Sequence, residues 1–363
     1  PTDLIFEFEV NMNNLPDVYE KRIQLILKAL QKWLFEPESG IADQIEKTVL
    51  LGFERSDIHH SLRWIKETCT EEYLRNWCFE SAKKSEVVEQ KTVIFLHAGN
   101  LPLVGFQDVI ISILSGVKYN GKLSRKDPYL LAGFIDSFNS VSTTIQLRYS
   151  VDLHYFANLR ADSLIFAGSK KGAEDVLNKS MELKCIHNQT KIYLRTSHFS
   201  LAYFNRYLDT DWMDLAESIL RYNGAGCRSV AIIVSESELN FSGCQLVDYA
   251  ESWLLKNKQS ESSIPEHLRY YEAYYKSVGI KTQFWNSTLI VENEPQRMIP
   301  GIVYWIKGDR VTLESILLRY KSDIQSVYGV GNYTDLEPLY KAQFPDLNWK
   351  ADGIDLLEEF TKS

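Results

Sequence analysis

The chain has 363 residues, 45% hydrophobic and 24% charged, with 20 Tyr, 17 Phe and 8 Trp, a globular composition with core material for two or three domains. A net charge of -8 argues against broad electrostatic binding to nucleic acid or anionic membranes and leaves room for a local basic pocket. The longest apolar stretch, Val104 to Val117, is interrupted by Gln107 and Asp108 and is too short to span a bilayer. PTDLIFEFEV at the N-terminus lacks a basic segment followed by an apolar one, so no signal peptide is expected. Cysteines at 69, 78, 185, 227 and 244 are scattered and form no CxxC, which predicts a cytoplasmic protein with reduced thiols. The histidines do not sit at ligand spacings around those cysteines, so no metal site is expected.

In chain order, residues 16–90 read as mostly helical. Ile23, Ile26, Leu27, Leu30 and Leu34 recur at helical spacing, and SDIHHSLRWIKETC and EEYLRNWCFESAKK continue the pattern. His59 and His60 are adjacent, so on a helix they point about 100° apart and do not share a ligand simply. They are expected on a helix surface or in partial core. From residue 91 the texture changes. TVIFLH, VKYNGKLS and DSLIFAGS read as strands. VGFQDVIISILSG, DPYLLAGFIDSFNSV (Pro128 near its start) and KKGAEDVLNKSMELK read as helices. This alternation predicts a mainly parallel sheet with crossover helices, whose ligands bind beyond the carboxyl ends of the strands.

A second α/β portion begins near residue 199. FSLAYF, SVAIIVS, TLIVE and GIVYWIKG read as strands. MDLAESILRY, CQLVDYAESWLLKN, HLRYYEAYYKSVG and TLESILLRYKS read as helices. KQSESSIP is a loop rather than a domain boundary, and the acidic tail is expected to pack as a short helix. The boundaries expected are 1–200 for one domain with its helical segment 1–90, 201–335 for a second, and 336–363 for a tail.

Four loops carry candidate chemistry. Asn100, at a strand end in HAGNLP, is a turn residue by its own backbone habits, yet its side-chain NH2 suits a developing oxyanion. Lys122, Ser124, Arg125 and Lys126 cluster after a strand, either as a solvated turn or as a holder of phosphate or ribose. In AGSKKG, Gly168 allows a close turn and Ser169 can cap a helix whose free N–H groups suit a phosphate. Cys227 lies in NGAGCRSV between Gly226 and Arg228. An isolated cysteine is usually an inert buried residue, whereas flanking glycines and a cation suit a thiolate nucleophile.

In order, these loops resemble the aldehyde dehydrogenase superfamily, and within it the LuxC-type acyl-CoA reductases. HAGNLPLVG is similar to the segment that carries the oxyanion asparagine. GKLSRKDP is similar to the lysine-bearing strand end on the adenosine side of the cofactor. FAGSKKG is similar to the turn at the cofactor pyrophosphate, and NGAGCRSV to the segment of the catalytic cysteine. The resemblance covers about residues 90–360, the helical start matching only in general character. It implies a Rossmann-like cofactor domain and a second α/β catalytic domain with the active site between them, and subunit pairing. It also implies that Cys227 attacks an acyl-CoA thioester, expels coenzyme A and leaves an acyl-enzyme that a nicotinamide hydride reduces to the aldehyde. Asn100 and the Cys227 N–H would hold the oxyanion.

Two departures matter. Where hydrolytic relatives carry a general-base glutamate, Leu194 falls in this chain, so no carboxylate is expected there to activate water; His198 lies nearby. Arg125 stands where many NAD-dependent relatives carry a ribose-binding glutamate, which points to NADPH over NADH. The rival readings are reduction of another acyl donor such as an acyl phosphate, CoA-acylating aldehyde oxidation, and a non-catalytic nucleotide-binding relative.

Overall fold

A computed structural model describes residues 15–81, 90–196, 199–204, 209–236, 245–258, 264–330 and 335–362. Four helices come first: α1 (Asp17–Phe35), α2 (Ile41–Leu50), α3 (Arg55–Thr68) and α4 (Glu71–Ser81). The apolar stripe of α1 turns inward, with Ile23, Ile26 and Leu30 buried. His60 is buried and His59 exposed, as their 100° offset requires.

The first sheet follows as β1 (Thr92–Leu96), α5 (Phe106–Ser115), β2 (Lys118–Lys122), α6 (Leu130–Val141), β3 (Arg148–Ser150), β4 (Ser163–Ala167), α7 (Lys170–Glu182) and β5 (Lys191–Arg195). Its order is β3-β2-β1-β4-β5 and every pairing is parallel. The second sheet is built from β6 (Phe199–Phe204), α8 (Asp209–Leu220), β7 (Val230–Ser235), α9 (Gln245–Asn257), α10 (Glu266–Ser277), β8 (Thr282–Trp285), β9 (Thr288–Val291), β10 (Ile302–Lys307), α11 (Arg310–Arg319), β11 (Ile324–Val330) and β12 (Glu337–Pro338). Its order is β12-β11-β6-β7-β10-β9-β8, parallel except for the β8–β9 pair. β6 is buried at every position, the signature of a strand covered on both faces. Among the described residues, no helix is long and apolar enough to cross a membrane.

The tail returns to the first sheet. Its helix α12 (Leu356–Thr361) sets Leu356, Leu357 and Phe360 in the same core cluster as Phe95 and Phe106. On the way, Pro345 accepts from the Trp64 indole (2.7 Å), and Leu347 and Trp349 carbonyls accept from Gln107 (2.7 Å each). This stretch forms a wall of the cleft between the sheets.

Candidate active site

The loop after β1 is set by buried contacts beneath it. His97 Nε2 lies 2.8 Å from the Tyr119 hydroxyl, and a Cβ at Gly105 would meet the His97 ring at 2.5 Å, so this loop packs backbone against ring. Leu103 adopts a left-handed φ of 62° that a leucine rarely takes. Its N–H donates to the buried Asp127 carboxylate at 2.7 Å, which holds that conformation. Burial pushes Asp127 up to about 6, against the pull of the backbone N–H groups it accepts. The braced loop carries Asn100 to the rim of the cleft, where its side-chain NH2 donates to the Ala225 carbonyl at 2.7 Å. That bond uses one of the two amide hydrogens and ties Asn100 to the cysteine loop.

The cysteine loop leaves α8 through a left-handed kink at Tyr222 (φ 56°) and Asn223 (φ 53°). The Cys227 carbonyl accepts from Ser200 Oγ (3.0 Å), and Ser229 N–H donates to Gly226 O (2.9 Å). Arg228 is buried and bonded through each of its three nitrogens. It donates to the carbonyls of Ala342 (3.0 Å) and Lys341 (3.0 Å), to Glu337 (2.7 Å) and to Ser326 Oγ (3.4 Å). Cys227 itself is half-buried, and among the described residues its N–H has no protein acceptor outside its own residue. Burial pushes the thiol up to about 11; Arg228 and Arg195 pull it down, and Asp352 pushes it up.

One cavity of about 580 Å3 joins these parts. Asn100, Ser124, Gly168, Ser169 and Cys227 all line it. Lys122 and Arg125 do not; Lys126 of the same loop does. Lys122 is half-buried, and burial and the Arg125 charge lower its pKa against the opposing pull of Asp152. Ser169 caps α7 by accepting from Gly172 N–H at 3.0 Å. The Lys170 and Lys171 amides ahead of it are left without intrahelical partners at the positive end of the helix dipole. A Cβ at Gly168 would meet the Phe166 ring at 2.6 Å, and one at Gly99 would overlap the Ser124 hydroxyl, so both turns depend on glycine. A helix N-terminus facing a roomy cavity beside glycine turns fits a dinucleotide pyrophosphate.

Leu194 does not reach this cavity. It is 39% exposed, because β5 alternates and turns Ile192 and Leu194 to solvent while Tyr193 and Arg195 turn inward. Arg195 lines the cavity instead. A carboxylate does enter, from a distant segment: Asp352, in a left-handed turn at φ 52°, accepts from Thr196 N–H at 2.7 Å and lines the same space. His198 lies outside the described residues. Trp64, Gln343 and Trp349 also face the cavity. They come from α3 and the tail, and no local pattern marks them.

A family model described as acyl-CoA reductase (LuxC) matches residues 9–241, more than half of the chain. The chain belongs to the LuxC acyl-CoA reductase family. The match extends through the helical start and ends just past β7. No curated protein matches the sequence. The fold of this LuxC family member is that of the aldehyde dehydrogenases. It is similar to an NAD-dependent benzaldehyde dehydrogenase from Corynebacterium glutamicum (13% identity, 94% of this chain and 83% of that one, TM-score 0.63). It is also similar to the aldehyde dehydrogenase KauB from Pseudomonas aeruginosa (14% identity, 87% and 73%, TM-score 0.61). A third is the indole-3-acetaldehyde dehydrogenase AldA from P. syringae (13% identity, 91% and 75%, TM-score 0.61).

Proposed function

We propose that this protein reduces an acyl-CoA to the aldehyde, with Cys227 as nucleophile and NADPH as reductant. The supporting observation is a single cavity that holds Cys227, the Asn100 carboxamide and the capped N-terminus of α7. In the proposed reaction the Cys227 thiolate adds to the thioester carbonyl. The oxyanion takes hydrogen bonds from the Cys227 N–H and the remaining Asn100 N–H. Collapse breaks the bond to coenzyme A sulfur, which leaves and takes up a proton, and Cys227 keeps the acyl group. A nicotinamide cofactor, when bound, supplies the hydride that takes this thioester to the aldehyde and frees the Cys227 thiolate.

The cofactor would be held by the α7 amides and Ser169 at its pyrophosphate, with Ser124 and Lys122 toward its adenosine side. Arg125, exposed and cationic, would favour a 2′-phosphate. We assign cofactor binding to residues 1–200 and the nucleophile to residues 201–335. The P. syringae AldA structure carries NAD+, which supports a nicotinamide ligand for this fold. The test is NADPH consumption across acyl-CoAs of increasing length, with Cys227→Ala as control.

One observation favours a second reading. The Asp352 carboxylate in the cavity is a group able to activate water, as aldehyde oxidation requires. Acid formation from an aldehyde and oxidised cofactor without coenzyme A, lost in Asp352→Asn, would support oxidation instead.

A further inference from the structure

We propose that Trp64, Val104 and Trp349 line an apolar pocket for the acyl chain, and that Trp64 and Val104 set how long a chain the protein accepts. This inference deepens the proposed function and rests on it. Among the described residues, the charged side chains lining the cavity are Lys126, Arg195, Arg228 and Asp352. Arg228 gives its nitrogens to Ala342, Lys341, Glu337 and Ser326. The other three lie beyond the carboxyl ends of strands in the first sheet. Lys126 is in the loop after β2, Arg195 ends β5, and Asp352 accepts from Thr196 N–H just past it. The α7 amides follow β4 on the same rim. Charge and free donors thus gather on one side, where the cofactor would lie.

The remaining wall is made differently. It comes from α3, the loop after β1, the kink after α8 and the tail, and its polar groups turn into the protein. Trp64 Nε1 donates to the Pro345 carbonyl at 2.7 Å, and Ser61 Oγ and the Tyr222 hydroxyl meet at 2.9 Å. Gln107 gives both amide hydrogens to the Leu347 and Trp349 carbonyls (2.7 Å each). Gln343 gives its own to Ser218 O (3.1 Å) and Ser229 Oγ (3.2 Å). What these residues leave to the cavity is ring and aliphatic surface, beside Leu101, Val104 and Ala342. A polar acyl group would lose its water there with little hydrogen bonding in return, whereas an alkyl chain gains by leaving water. The wall starts at the cysteine loop. A Cβ at Gly226 would lie 3.4 Å from Leu101 Cδ1, and the guanidinium of Arg228, next in sequence to Cys227, lies 5.1 Å from the Trp349 ring centre. An acyl group on Cys227 therefore borders this surface. Trp64 is braced as well, its ring edge-to-face with Phe106 at 6.3 Å, so it resists displacement by a longer chain.

The test is calorimetric binding of unreactive S-alkyl thioethers of coenzyme A, from ethyl through butyl, hexyl and octyl to decyl, to wild type, Trp64→Ala and Val104→Phe. In wild type the Kd is expected to fall about threefold to fourfold per added methylene and then level off where the chain meets the wall. Trp64→Ala should move that levelling point to a longer chain, and Val104→Phe to a shorter one. A Kd independent of chain length in wild type, or a levelling point unmoved in Trp64→Ala, would overturn the proposal. If Trp64→Ala does not fold, Val104→Phe is judged by the same criterion. Thioether binding needs no attack by Cys227. Length-dependent binding with no acyl-CoA reduction by wild type would fault the proposed function and leave the pocket standing. Normal reduction with length-independent binding would fault the pocket alone.

Discussion

The loop that bears Cys227 and the loop that bears Lys122 to Lys126 face the same cleft and are built in opposite ways. The first is fastened from every side: Ser200 binds the Cys227 carbonyl, Asn100 binds Ala225, Arg228 ties the loop to the tail, and Tyr222 meets Ser61 at 2.9 Å. The second is open. Arg125 and Lys126 are exposed, and the turn's main internal bond is Lys126 N–H to Ser124 Oγ at 3.2 Å. Covalent chemistry needs donors held within tenths of an ångström, which fastening provides. Choosing between two phosphates needs only a charge in reach, which an exposed turn provides at little structural cost. The first loop should therefore respond to substitution in rate, and the second in preference.

The largest break of that contrast is Cys227→Ala, expected to lower kcat by about 10^4-fold or more while cofactor binding survives, as removal of a nucleophile does. Asn100→Ala comes next. It removes the proposed oxyanion donor and the bond to Ala225, and should cost about 10^2 to 10^3 in kcat with KM little changed, measured by steady-state kinetics.

A third effect is one of acidity, at His97 beneath the loop that ties Asn100 to the cysteine loop. His97 has a folded pKa of about 4 against an unfolded 6.5. Between those values the unfolded chain binds the proton and the folded one does not, so stability falls as pH drops from 6.5 toward 4 and levels off below. The full window amounts to about 3 kcal/mol. His97→Gln should flatten this slope in urea unfolding measured across pH, while Arg125→Glu should not touch it. The smallest effect is on that open loop: Arg125→Glu should shift the kcat/KM ratio from NADPH toward NADH by about tenfold, near 1.4 kcal/mol, with catalysis otherwise intact.

The parallel α/β architecture was legible because FSLAYF and TVIFLH are apolar runs between clear helical repeats. β3, β5, β8, β11 and β12 were not. RYS and TQFW are short, and KIYLR is an edge strand with polar and exposed positions. Asn100, Ser124, Gly168, Ser169 and Cys227 could be singled out from sequence because each sits in a loop at a strand or helix end, and all five line one cavity. Leu194, at the place of the relatives' glutamate, turns to solvent because a strand points successive residues to opposite faces, and Arg195 is the residue of β5 that lines the cavity. Asp352 and Trp349 join the cavity only because the tail crosses back over Gln107, a contact spanning more than 240 positions that no local pattern records.

The most direct measurement is the intact mass of the protein after incubation with an acyl-CoA in the absence of nicotinamide cofactor. The account predicts one added acyl group, mapped to Cys227, absent in Cys227→Ala and discharged as aldehyde when NADPH is supplied. An unmodified wild-type protein across short and long acyl-CoAs, or an acyl group on another residue, would contradict it.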